Sequence, residues 1–205
     1  MKIINTYEIK DNFKDISIVV NTAHVEIKES ENSDIKVVCH ERKKHAHNVR
    51  VEDSTLIISK KKRKWYSYLL PSFDKANITI YIPINKIENL YIKSNTGDVN
   101  IASINIDNDL NIKINTGDIK FDNMLVKGKM HIKSNTGDIN FNESDANELY
   151  IKVNTGNVSG TLLSDKAFVI RCNTGRVRIP DTFGNKKCQI ISNTGNIKFE
   201  IIKYN

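Results

Sequence analysis

The sequence predicts an all-β chain wound as a right-handed parallel β-solenoid of 19–20-residue coils, and three observations carry that expectation. The tripeptide Asn-Thr-Gly recurs six times, starting at Asn95, Asn115, Asn135, Asn154, Asn173 and Asn193. Around every copy apolar and polar residues alternate, the period of a strand with one buried face. The copies are 20, 20, 19, 19 and 20 residues apart. A unit that short cannot bury its own apolar face, but stacking on its neighbours can bury it.

The N-terminal third carries a weaker form of the pattern. Ile16-Ser-Ile18-Val-Val20-Asn-Thr-Ala23-His-Val25-Glu-Ile27 superposes on the repeat, with alanine in place of glycine. It reads as a degenerate first coil. Further alternating stretches follow at Ile35–Cys39, Val49–Val51, Leu56–Ile58 and Ile78–Ile82, and Glu52-Asp-Ser-Thr55 reads as a hairpin turn. Residues 29–75 are therefore expected to interrupt the solenoid as a β-hairpin insertion. This gives one domain over 1–205: a degenerate coil plus insertion over 1–89, then six regular coils over 90–205. No linker rich in proline, glycine and serine divides it.

Aligning the six regular copies predicts the core. Leu90, Leu110, Met130, Leu149, Phe168 and Cys188 form one inward column, and Ile92, Ile112, Ile132, Ile151, Ile170 and Ile190 the next. Ser94, Ile114, Ser134, Val153, Cys172 and Ser192 form a third. Past the glycine come Val99, Ile119, Ile139, Val158, Val177 and Ile197. Lys93, Lys113, Lys133, Lys152 and Arg171 occupy an outward phase. Gly97, Gly117, Gly137, Gly156, Gly175 and Gly195 fit a turn that needs positive φ or a close approach between coils. Stacked coils would sit about 4.8 Å apart, so the six asparagines are expected to ladder at one corner. Parallel crossovers are right-handed. The last coil, ending at Ile197–Ile201, is expected to leave an open edge that could join two copies end to end.

Composition narrows the function classes. The 205 residues are 39% apolar and 27% charged, with a net charge of +7. No apolar run reaches the length of a membrane-spanning helix. The first 30 residues alternate, without the apolar stretch and cleavage site of a secretory signal. Cys39, Cys172 and Cys188 are too few for a disulfide framework. The expectation is a cytoplasmic chain with no signal peptide, able to associate peripherally with a membrane.

The degenerate first coil, the intervening hairpins, the strand ending in Ile82-Pro83 and the serial Asn-Thr-Gly-Asp/Asn-Val/Ile units together resemble a bacterial putative-adhesin family with β-strand repeats, a domain of undefined function. The resemblance covers nearly the whole chain. It implies bacterial origin, an envelope- or stress-related role and adhesion as the inherited label.

The strongest candidate binding feature is basic. Between Glu41 and Lys64 nine lysines and arginines face three acids. That excess accounts for nearly all of the net charge. Lys60, Lys61, Lys62, Arg63 and Lys64 run directly into Trp65, Tyr66 and Tyr68. Cations beside aromatics suit an anionic membrane surface, at about 1 kcal/mol per Lys or Arg. Nucleic acid ranks lower, and a solvated hairpin capping the solenoid is the plainer alternative.

Asp98, Asp118 and Asp138 stack in consecutive coils, but Asn157, Arg176 and Asn196 continue the column. This favours capping of turn amides over a cation ladder. Cys39 and His40 point to opposite faces of one strand, which opposes a zinc site with His45 and His47. No nucleophile, base and orienting group fall together. The reading is a non-enzymatic binding scaffold without metal or cofactor, for an unidentified protein or anionic surface. The alternative is a peripheral sensor of anionic membranes through residues 60–73.

Overall fold

The computed structural model describes residues 1–32, 34–43, 46–60, 76–182 and 184–202. The N-terminal strands are β1 (Lys2–Glu8), β2 (Asp15–Val19), β3 (Ala23–Glu29), β4 (Lys36–Arg42), β5 (His47–Glu52), β6 (Thr55–Lys60) and β7 (Ala76–Ile82). The regular coils begin with β8 (Asn89–Thr96), β9 (Val99–Ala102), β10 (Asn105–Ile106), β11 (Leu110–Thr116) and β12 (Ile119–Asp122). They continue through β13 (Leu125–Thr136), β14 (Ile139–Asn142), β15 (Asp145–Thr155) and β16 (Val158–Leu162). Last come β17 (Lys166–Thr174), β18 (Val177–Arg178), β19 (Lys186–Thr194) and β20 (Ile197–Ile201).

The strands form two long sheets, mostly parallel, with the core between them. One runs β1-β4-β7-β3-β9-β12-β14-β16-β20-β18, and the other β17-β19-β15-β13-β11-β8-β2-β6-β5, with β10 against β13. The isoleucine column pairs in register, Ile92 with Ile112, Ile112 with Ile132 and Ile132 with Ile151. A continuous cluster of buried side chains runs from Phe13 to Phe199.

At both ends the stacking order departs from chain order. Strand β6, which falls in the expected 29–75 insertion, instead joins β7 in the stack. They lie parallel to β2 and β3 and make a coil outside the first one. Leu56 and Ile58 pair with Ile16 and Ile18, and Ile78 and Ile80 with Val25 and Ile27. Among the described strands only β5, β4 and β1 are antiparallel additions, β5 on β6, β4 on β7 and β1 on β4. Asp53 and Ser54, at φ 48° and 58°, make the expected hairpin turn between β5 and β6.

The C-terminal end is the second departure. The last coil, β19 and β20, slots between β15/β16 and β17/β18. Among the described strands the open edge is therefore the 166–178 coil, whereas Ile197 and Lys198 of β20 are paired on both sides within the first sheet. Its position shows in its burial. Ile190 and Ile197 are buried, whereas Ile170 is half-buried and Val177 is 42% exposed. One core column also breaks: Phe121, Phe141 and Phe199 are buried, but Gly160 stands between the last two. The rings of Phe141 and Phe199 close over it at 5.7 Å.

Candidate binding face

The corner after β8, β11, β13, β15, β17 and β19 is built by Asn-Thr-Gly followed by Asp or Asn, or by Arg176 after β17. Gly117 has φ +143°, and a Cβ there would lie 2.2 Å from the carbonyl oxygen of Gly97. Only glycine lets the backbones of adjacent coils approach so closely. The next residue in each coil completes the turn. The amide of Asp118 donates to Asp98 Oδ1 (3.0 Å), that of Asp138 to Asp118 Oδ1 (2.9 Å) and that of Asn157 to Asp138 Oδ1 (2.7 Å). The amides of Asn196 and Arg176 continue the series onto Asn157 and Asn196. The stacked carboxylates thus act as amide caps, and His24 Nδ1 lies 2.9 Å from Asp98 at the start of the column. Arg176 is in the outermost coil, so its guanidinium interrupts no carboxylate series.

Asparagine side chains bond from coil to coil at this corner, in spatial rather than chain order. Asn115 donates to Asn95 (3.2 Å), Asn154 to Asn135 (3.2 Å), Asn193 to Asn154 (2.9 Å) and Asn173 to Asn193 (2.5 Å).

Beside this ladder, on the outer face of the second sheet, Lys93, Lys113, Lys133 and Lys152 pair in register. In sequence the column continues to Arg171. In the fold the coil exchange puts Ile191 next to Lys152, with Arg171 beyond it. At the other end Val19 pairs with Lys93. The result is a block of four exposed lysines bounded by two aliphatic residues. Lysines and asparagines wall an open trough of ≈ 690 Å³ along the stacking direction, floored in part by Ser94, Ile114 and Ser134. Among the described residues none of the four lysines makes an ion pair. Lys113 lies over the Tyr91 ring at 5.9 Å. In the column beyond the lysines, His131 and Tyr150 stack at 4.7 Å with rings 6° apart, and Lys187 covers Tyr150 at 5.3 Å.

The other expected sites separate clearly. Lys60 ends β6 and is half-buried; Lys61, Lys62, Arg63, Lys64, Trp65, Tyr66 and Tyr68 lie outside the described residues. Cys39 is buried and His40 exposed, on opposite faces of β4. His47 instead faces Glu41, at 2.7 Å, with both side chains buried. Among the described residues no three His, Cys, Asp or Glu side chains gather as metal ligands. Burial pushes the thiols of Cys39 and Cys188 up to about 12, the conduct of core filler rather than of a nucleophile. Ser134 and Ser192 are buried with unpartnered hydroxyls.

Besides the Glu41–His47 pair, sequence reasoning missed a buried polar cluster around Lys166. Lys166 Nζ sits 2.5 Å from Asp145 Oδ1, with side chains 0% and 3% exposed. It also donates to the Ala146 carbonyl (2.6 Å) and to Ser164 Oγ (3.0 Å), and Ser164 Oγ in turn donates to Asp145 Oδ2 (2.5 Å). The signal was available, because Lys166 shares the inward phase of Phe168, Ile170 and Cys172. A lysine there must find a buried anion.

A family model accounts for most of the chain. The Toastrack DUF4097 model matches residues 13–203. The chain belongs to that family. Among solved structures, the Toastrack chain is similar to a "putative cell adhesion protein" from Clostridium sporogenes. That match has a TM-score of 0.57 and 14% identity, over 98% of this chain and 99% of that one. It is also similar to a "putative adhesin" from Bacteroides fragilis, with a TM-score of 0.50 and 17% identity, over 98% and 97%. At such identities the likeness speaks for the fold alone. No functionally curated protein matches the sequence.

Proposed function

We propose that this Toastrack chain is a non-enzymatic binding scaffold: one right-handed solenoid domain of 19–20-residue coils that presents a rigid sheet face to an extended partner. The observation that carries the reading is the four-lysine trough, an exposed, repetitive and uncompensated surface rather than an enclosed cavity. Small-molecule sites are concave and mostly apolar, whereas extended concave surfaces are what solenoids use for partners. The raised thiols and the exposed carboxylates already committed to amide caps support a role without catalysis. The adhesion names of the similar structures fit attachment to an envelope component.

Incubating the purified protein with isolated bacterial envelope fractions tests this. Saturable, salt-sensitive retention is the expected result, and turnover of an envelope polymer by catalytic amounts of protein would overturn it. Location is tested separately by protease treatment of intact cells. Protection is the outcome expected for a cytoplasmic, peripherally associated chain, and digestion would move the reading to surface adhesion.

A second reading rests on the charge of the 41–64 stretch, nine cations against three acids. Residues 60–73 would then dock the solenoid on anionic lipid. Vesicle binding lost on neutralising Lys60–Lys64 supports it, and binding indifferent to those changes removes it.

A further inference from the structure

The geometry points to a linear anionic polysaccharide, a chain of uronate or sulfated sugars, as the ligand of the trough between the lysine and asparagine columns. This rests on the scaffold reading above and adds a site and a chemical class to it.

Three features of the face carry the assignment. The lysines are an isolated block. Val19 and Ile191 close it at either end, so four ammonium groups occupy three coil steps, about 14 Å at 4.8 Å per step. They are also uncompensated, whereas several other surface cations are paired. Lys14 meets Glu88, Lys127 meets Asp107 and Lys198 meets Glu200. Like charges so close repel one another, and a bound polyanion relieves that repulsion. The opposite wall is a row of primary amides whose oxygens accept along the ladder, as Asn95 does from Asn115 and Asn135 from Asn154. A chain rich in hydroxyls and carboxylates can use both walls at once.

Competing polyanions fit less well. Single-stranded nucleic acid holds proteins by stacking bases on free aromatic faces. Here Tyr150 already stacks on His131 and carries Lys187 over its ring, and Lys113 lies over the Tyr91 ring. The phosphates of a duplex strand advance by about 3.4 Å per nucleotide, out of step with the coils. Side chains on one face of an extended acidic peptide recur at about 6.6 Å, again out of step. A bilayer needs apolar anchors projecting beside the cations, but asparagines project here. A pyranose linked through its 1 and 4 carbons advances by a length comparable to one coil, so one anion per one or two sugars keeps step with the lysines.

The test is titration of the full chain with a defined oligogalacturonate longer than the lysine block. An oligodeoxynucleotide of equal charge and phosphatidylglycerol vesicles serve as rival probes at the same ionic strength. The expected result is saturable binding of the oligogalacturonate, weakened about tenfold in the K113Q/K133Q variant. The K36Q/K120Q variant, altered on the other sheet, should bind as the native chain does. Ile191→Lys, which joins the block to Arg171, should tighten binding severalfold. Circular dichroism of each variant separates lost binding from lost fold. No binding of the oligogalacturonate, or equal binding by K113Q/K133Q, overturns the assignment. So does tighter trough-dependent binding of the oligonucleotide or the vesicles. Retention of K113Q/K133Q on envelope fractions would overturn this site while leaving the scaffold reading intact, whereas loss of retention by the unaltered chain removes the reading itself.

Discussion

The two ends of the solenoid solve the same problem in opposite ways. At the N-terminal end the outermost coil, β6 and β7, is covered by antiparallel strands, with β5 along one sheet and β4 then β1 along the other. Its core residues Leu56, Ile58, Ile78 and Ile80 are no more than 1% exposed. At the C-terminal end β17 and β18 have no strand beyond them among the described residues, and Val169 and Val177 are 53% and 42% exposed. A coil in a stack is stabilised by both neighbours, so the open coil has roughly half the support. The chain reinforces it with Lys166, whose ammonium reaches the start of β15 from the start of β17. One end is closed by backbone pairing and the other is held by a buried ion pair.

The contrast predicts that identical lesions cost different amounts along the stack. Gly137 and Gly175 have the same geometry, with φ 135° and 144°, and a Cβ at either would lie 2.0 Å from a neighbouring carbonyl oxygen. Gly137→Ala, deep in the stack, should destabilise the whole domain by about 3 kcal/mol or more, since strain and overpacking act together. Gly175→Ala should detach the edge coil alone. Hydrogen exchange checks this: the edge variant should lose protection over residues 166–178 and keep it elsewhere. Uniform loss in both variants would mean that the ends are not energetically distinct.

Breaking the ion pair should cost nearly as much. Lys166→Met leaves Asp145 buried without its cation, a loss of about 3 kcal/mol, whereas D145L/K166M should recover most of it because both charges go. Burial lowers the Lys166 pKa below 10.5, and the Asp145 charge opposes that shift. The unfolded chain therefore holds the proton to higher pH. The native protein should gain stability relative to Lys166→Met as pH rises through the folded pKa toward 10.5, and denaturant titrations across that range check the sign. At the covered end Glu41 binds His47 Nδ1 (2.7 Å), the His47 amide (2.9 Å) and Asn5 (2.7 Å). Glu41→Leu orphans these groups, at about 2 kcal/mol. Because that end is tied into the main stack, the loss should appear as a lower global midpoint rather than local fraying.

The sequence made the columns legible residue by residue, because a period of two and a repeat of 20 leave one consistent inward face. Ile92, Ile112, Ile132, Ile151 and Ile190 are all buried, as their phase requires. Stacking order was not legible, for a physical reason. Repeats that share a register pair equally well with any other copy, so β19 can sit beside β15 as readily as β17 could. The hints lay in the exceptions. Lys166 on an inward phase and Arg171 in place of lysine both mark the edge coil. For β6 and β7, the missing Asn-Thr-Gly hid a coil whose Leu56, Ile58, Ile78 and Ile80 were in phase throughout. The lysine column was legible as solvent-facing, but its end at Ile191 follows from the coil exchange alone. The basic-aromatic stretch Lys61–Tyr68 falls outside the described residues.

The smallest predicted effect concerns what the open edge attracts. Unpaired strand edges invite another copy, and proteins blunt them with charge. The edge coil carries Arg171, Arg176 and Arg178, all exposed. Two copies meeting there would bring like charges together, at a few tenths of a kcal/mol per pair. The native chain should therefore sediment as a monomer through the micromolar range. R171T/R176T/R178T keeps strand-forming residues and removes the repulsion, leaving Val169 and Val177 to pair, so it should self-associate more tightly by about tenfold. If the native chain dimerises and the variant does not, the arginines make the end-to-end contact instead of preventing it. The open end would then be closed by a second copy, much as β5, β4 and β1 close the other.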